Sequence, residues 1–156
     1  MWDALHRIAL RAGYRALIVW WWLRRPTLHG AYVAVWYDDQ LLLVRNSYKE
    51  GETLPCGGLQ RGESHRTAAL RELGEEVGIH VDPDRLQFVC EIESQGRLAR
   101  DRVHFFELLL ESEPAIRIDG REVVWAGFCP SNELPRRPLI RVVRTYLLRR
   151  SDSVSP

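Results

Sequence analysis

Between Gly57 and Ile79 the chain reads Gly-Gly-Leu-Gln-Arg-Gly-Glu, then seven residues, then Arg-Glu-Leu-Gly-Glu-Glu-Val-Gly-Ile. Ser64 is the expected N-cap and Gly78 the stop, so the spacing predicts a helix reaching Val77. On such a helix Glu72, Glu75 and Glu76 stand at i, i+3 and i+4, and their carboxylates leave one face. Leu70, Leu73 and Val77 take the neighbouring arc and can bury against a sheet. Three carboxylates this close repel one another, a cost that a solvated helix face has no reason to bear. Bound divalent cations remove it. Oxygen ligands with no His or Cys among them favour Mg²⁺ or Mn²⁺ over Zn²⁺. Arg71 can pair with Glu63 or another of these acids and fix their orientation. The glycines ahead of the helix let the backbone approach an anion or cation closely, and Gly57 can offer its carbonyl oxygen as a ligand.

The rest of the chain frames this segment. With 156 residues it suits one domain, and 46% hydrophobic content excludes a disordered or collagen-like polymer. Charges nearly cancel, 22 basic against 21 acidic, so no global field marks a DNA-binding protein. Cys56, Cys90 and Cys129 form no close pair, which argues against a disulfide framework or a zinc site and for a reducing compartment. The longest apolar run, 16–23, has eight residues, and a membrane span needs roughly 20. Arg24 and Arg25 follow it where a signal peptide would place small residues. A soluble, cytoplasmic protein with no transmembrane segment is expected.

Residues 2–23 carry apolar side chains at three- and four-residue steps beside a stripe of Arg7, Arg11 and Arg15, the pattern of an amphipathic helix. It suits packing on the domain or on a second copy in a homodimer. The alternative is a membrane-surface helix, since Arg and Trp together fit an interface. Residues 31–37 and 41–44 read as a hairpin turning at Asp38 and Asp39. A glycine-rich loop spans 46–62. Strand-like runs follow at 86–92, 103–110 and 123–128, then an amphipathic helix over 138–148 and a frayed tail at 151–156. Helices alternating with partly hairpin-linked strands predict a mixed sheet with helices outside it.

The string from Gly57 to Ile79 resembles the Nudix box, G-x5-E-x7-R-E-U-x-E-E-x-G-U with U aliphatic, and every fixed position is filled. The resemblance implies an α/β (α+β) fold, an α/β/α sandwich over residues 27–150, preceded by the helix at 1–26. It implies a metal-dependent hydrolase that breaks a phosphoanhydride bond in a nucleoside diphosphate linked to another group. Carried over by position, Glu72, Glu75 and Glu76 hold Mg²⁺ or Mn²⁺ with the Gly57 carbonyl. Glu75 or Glu76 takes a proton from the attacking water, and Glu122 stands where many members supply a further carboxylate.

Two departures bear on the site. Many relatives read Trp-x-Leu-Pro-Gly-Gly-Gly before the box, and this chain has Glu52 in the Trp place and Cys56 in a Gly place. Cys56 is either a small packed residue or a reactive thiol. The proline of ADP-ribose hydrolases is missing from 87–101, as is the tyrosine of dinucleoside-polyphosphate hydrolases. A nucleotide with an unspecified leaving group remains. Arg45 and Tyr48 are candidates to reach its phosphate and its base or sugar. His65 and His104 lack ligand-pair spacing and read as structural, and Trp125 reads as packed in the sheet. Two alternatives stay open: a nucleotide sensor without catalysis, and an RNA 5′-end pyrophosphohydrolase using the basic stretch 136–150. Balanced net charge disfavours RNA.

Overall fold

β-Branched and aromatic residues fill the first strand, β1 (Thr27–Tyr37), which turns into β2 (Gln40–Asn46). The computed structural model describes residues 13–14, 27–95, 100–118 and 120–154. The turn residues Asp38 and Asp39 both have positive φ, 45° and 57°, the twist that joins two antiparallel strands without splaying them. Tyr37 therefore pairs with Gln40. Inside the expected loop lies a short strand, β3 (Cys56–Gly58), antiparallel to β1 from Gly30 to Tyr32. Three residues are too few to leave a periodic signal.

Helix α1 (His65–Val77) starts and stops where its caps dictate. Ser64 accepts a hydrogen bond from the Thr67 amide, and Gly78, at φ 71°, donates to the Gly74 carbonyl. The chain continues through β4 (Gln87–Gln95), β5 (Arg100–Leu110), β6 (Val123–Pro130) and α2 (Arg141–Val154). The sheet order is β4-β5-β1-β2-β6, with β3 attached to β1. The β1–β5 pair is parallel and the others antiparallel, a mixed sheet.

Strand alternation divides the core. Val33, Val35, Leu42 and Val44 pack with Ala69, Leu73 and Val77 of α1. Ala34, Trp36, Leu41 and Leu43 pack with Val143 and Tyr146 of α2. The sheet thus lies between the two helices.

The last helix corrects the expected 138–148. Its start is delayed because 138–140 lies beside Glu52: the Glu52 amide donates to the Pro138 carbonyl at 2.8 Å, and the Ile140 amide to the Glu52 carbonyl at 3.0 Å. It runs on to Val154, into the stretch read as a tail. Glu52 itself is 4% exposed and receives two hydrogen bonds from Arg137, at 2.7 and 2.6 Å. The departure at this position is therefore an ion pair tying the loop before the box to the segment before α2. The helix expected over 2–23 lies outside the described residues apart from Gly13 and Tyr14. Among the described residues no helix is long and apolar enough to cross a membrane.

Candidate active site

The capped first turn of α1 sets the rotation of the whole helix, so its later turns direct Glu72 and Glu75 toward β3. Together with Glu122, from the segment before β6, they line a cavity of about 480 Å³ that Gly57 and Gly58 also border. A second cavity of about 610 Å³, near the end of α2, is bordered by Trp36, Leu134 and Leu147 and by no acid among the described residues. The carboxylate chemistry belongs to the first.

Arg71 organises the acids. It makes two hydrogen bonds to Glu63 at 3.0 Å each, one to Glu72 at 2.5 Å and one to Glu75 at 3.1 Å. It also donates to the Gly58 carbonyl at 3.0 Å. Such charge-assisted bonds fix geometry as well as energy. Arg71, together with the Gln60 amide, holds the Glu63 carboxyl below its usual range. Burial pushes Glu72 the other way, against the pull of Arg71.

Glu76 is not part of the cavity wall. It is 4% exposed, accepting from the Cys56 amide at 2.9 Å and the Asn46 side-chain amide at 3.4 Å. Burial raises its carboxyl to about 8, with the charges of Glu72 and Glu122 adding to the effect. Burial and the charge of Glu76 raise the Cys56 thiol to about 12. Cys56 therefore stands as a protonated thiol at the cavity wall, its Sγ 3.8 Å from Thr53 Oγ1.

Among the described residues no three His, Cys, Asp or Glu side chains converge into a ready-made cage for a metal ion. Arg71 holds Glu72 and Glu75, while Glu76 is turned to the Cys56 amide. The donor set is still that of a hard cation, all oxygen. Gly57 shows how close the backbone comes: a Cβ there would sit 1.9 Å from Glu72 Oε1. Gly57→Ala is expected to displace the Glu72 carboxylate and lower turnover about 10–100-fold. Because the three nearest atoms, Cγ, Cδ and Oε1, all belong to the flexible Glu72 side chain, the melting temperature should change little. Steady-state kinetics and a thermal melt of the same variant check both halves.

Tyr48 and Arg45 go separate ways. The Tyr48 hydroxyl donates to Glu122 Oε1 at 2.6 Å, and burial plus that bond push its pKa up, so it stays a donor. Arg45 is absent from the cavity wall and lies 5.4 Å from the centre of the Trp125 ring, as Arg137 does. Strand alternation explains the correction: Arg45 follows the face of Leu41 and Leu43, whereas its neighbour Asn46 turns toward Glu76. Alternation in β2 was the one signal that favoured Asn46. Nothing in the pattern marked His29, Tyr32, Lys49 or Tyr14, which also line the cavity. His65 and His104 stack with ring centres 3.6 Å apart at the start of α1.

The NUDIX domain family model matches residues 27–150. A MutT-like protein of Streptomyces ambofaciens is 36% identical over 77 residues, 47% of this chain and 50% of that protein. Human diphosphoinositol polyphosphate phosphohydrolase 3-beta is 36% identical over 92 residues, 56% of this chain and 55% of that protein. The chain thus spans about half the length of the curated relatives it matches. Among solved structures, a bifunctional NMN adenylyltransferase/ADP ribose pyrophosphatase from Francisella tularensis, complexed with AMP and a Mn ion, superposes with a TM-score of 0.67. It is 21% identical and covers 90% of this chain and 47% of its own. At that identity the likeness shows the fold. Because the family model spans every strand of the sheet and the acidic helix that borders the cavity, the chain belongs to the Nudix family.

Proposed function

We propose that the chain hydrolyses a phosphoanhydride bond in a nucleoside diphosphate linked to another group, in the cytoplasm, with Mg²⁺ or Mn²⁺ as cofactor. The observation that carries the reading is the meeting of Glu72, Glu75 and Glu122 at one cavity whose other walls include Tyr32 and Tyr48. Acidic groups beside aromatic rings suit a ligand with phosphates at one end and a planar base at the other. The Francisella neighbour is described with AMP and a Mn ion, and the human relative as a phosphohydrolase. Both descriptions support this class for the present chain.

Glu72, Glu75 and Glu76, with the Gly57 carbonyl, would hold the cation. Bound there, it supplies charge neutralisation to the phosphates and Lewis acidity to the reacting oxygen. Arg71 and Glu63 orient the acids. Water adds to phosphorus as the bridging P–O bond breaks, and the departing phosphate keeps the electron pair. Glu75 or Glu76 would take the proton that water gives up, or Glu122, which shares the cavity wall with Glu75. The Tyr48 hydroxyl supports Glu122 through its 2.6 Å hydrogen bond, while its ring remains part of the cavity wall.

The full chain should be incubated with ADP-ribose, a nucleoside triphosphate, a dinucleoside polyphosphate and triphosphorylated RNA, each with Mg²⁺ or Mn²⁺. Chromatography is expected to show AMP and ribose 5-phosphate from ADP-ribose, or the matching pair from another nucleoside diphosphate derivative, only when metal is present. Glu75→Gln should lower that rate by about a hundredfold. Cleavage of RNA alone would replace the reading with the RNA-end alternative. Nucleotide binding with no turnover of any compound would leave a sensor.

A further inference from the structure

Phosphates entering a cavity bordered by Glu72, Glu75 and Glu122 meet a strongly acidic surface. Cations held by those acids answer part of the repulsion. Lys49 is the only lysine or arginine among the described residues that line the cavity. Its position is set by two rings. The ammonium lies 5.4 Å from the Tyr48 ring centre and 5.9 Å from that of Tyr14, and the two rings are 5.3 Å apart, tilted by 53°. Ammonium groups over tyrosine faces are held by the ring quadrupole.

Tyr14 comes from outside the family domain, whose match begins at residue 27. We infer that Lys49 contacts a phosphate of the bound nucleotide and that Tyr14 is a positioning residue, holding that ammonium at the cavity together with Tyr48. Tyr14, a residue ahead of the Nudix domain, therefore completes the substrate site. This rests on the nucleotide reading above and names its anion-binding element. Tyr48 already donates to Glu122, so one tyrosine supports both the fourth carboxylate and the cation opposing it. Tyr14 carries the second role without the first, which makes it the discriminating position.

The experiment uses the full chain and two probes, AMP and adenosine, with binding measured by calorimetry in the presence of Mg²⁺. Lys49→Met should weaken AMP about tenfold and leave adenosine within twofold, since only AMP carries the phosphate. Tyr14→Leu should weaken AMP about fivefold, and Tyr14→Phe, which keeps the ring, should recover most of that loss. With a turned-over substrate, both Lys49→Met and Tyr14→Leu should raise KM and leave kcat within about threefold. Equal losses for AMP and adenosine, or Tyr14→Phe as weak as Tyr14→Leu, would overturn the inference. So would an unchanged AMP affinity in Lys49→Met. Failure of every compound to be hydrolysed would instead count against the proposed reaction, and the AMP-to-adenosine comparison would still decide the role of Lys49.

Discussion

Replacing Glu76 with glutamine is expected to cut kcat by about a thousandfold and, in metal-free protein, to raise stability. The two effects share one cause. Glu76 is buried beneath the cavity, where the Cys56 amide and the Asn46 side chain donate to it. Without a cation, its negative charge is poorly solvated, which is why its carboxyl rises from 4.5 to about 8. A folded state that keeps a proton the unfolded chain releases loses stability as pH rises between those two values. With respect to this group, metal-free wild type should therefore be fully stable below about pH 4.5 and lose on the order of a few kcal/mol by pH 8. Glutamine is neutral at every pH, so the Glu76→Gln melting temperature should exceed wild type at pH 8 and approach it at pH 5. Added Mn²⁺ should stabilise wild type far more than the variant, since binding to the folded state alone raises its stability. Metal-free melts at the two pH values, with and without Mn²⁺, make the comparison. A variant that melts below wild type at pH 8, or turns over substrate within tenfold of it, would show that Glu76 is a packing residue.

The second large effect concerns stability alone. Arg137→Ala is expected to destabilise the fold by about 3 kcal/mol, because it leaves the Glu52 carboxylate, 4% exposed, without its two hydrogen bonds. Arg137 is about one-third exposed, so water replaces part of the loss and the figure lies at the low end for a buried pair. For a domain of this size the shift in melting temperature should be roughly 10 °C. Replacing both partners together, Glu52→Leu with Arg137→Met, should recover much of it, since an apolar pair needs no desolvated charge. Urea unfolding of the three variants measures this. Stability within about 0.5 kcal/mol of wild type for Arg137→Ala would mean that the pair behaves as a surface salt bridge. Glu52 also fixes the neighbouring backbone, through the Pro138 carbonyl and Ile140 amide. The departure from the usual tryptophan thus exchanges one way of fastening this loop for another.

The spacing of the acids along α1 was legible from residue order, and so was the frame of that helix; that Glu76 turns to the Cys56 amide, away from the cavity wall, was not. Ser64, the i, i+3, i+4 spacing and Gly78 act within a few residues of each other, where backbone geometry leaves little freedom. The hairpin at Asp38 and Asp39 was legible for the same reason. Arg45 was misread because β2 offers two neighbouring polar residues at its end, and only the placement of sheet faces decides which one meets the acids. The start of α2 was misread because the pattern at 138–140 suits a helix, yet that backbone is taken by Glu52 from a distant loop.

Residue order by itself determined the helix that carries the carboxylates, its ends, and the spacing of the acids along it, because these depend on contacts no longer than a helical turn. Only the tertiary structure decided what surrounds them: Asn46 beside Glu76, Tyr48 on Glu122, Arg137 on Glu52, and Tyr14 beside Lys49. The partners of Arg71, namely Gly58, Glu63, Glu72 and Glu75, lie within one local segment, whereas Tyr48 and Glu122 are 74 positions apart and Glu52 and Arg137 are 85. Pairings at such separations arise when the sheet assembles, and no periodic pattern along the chain encodes them.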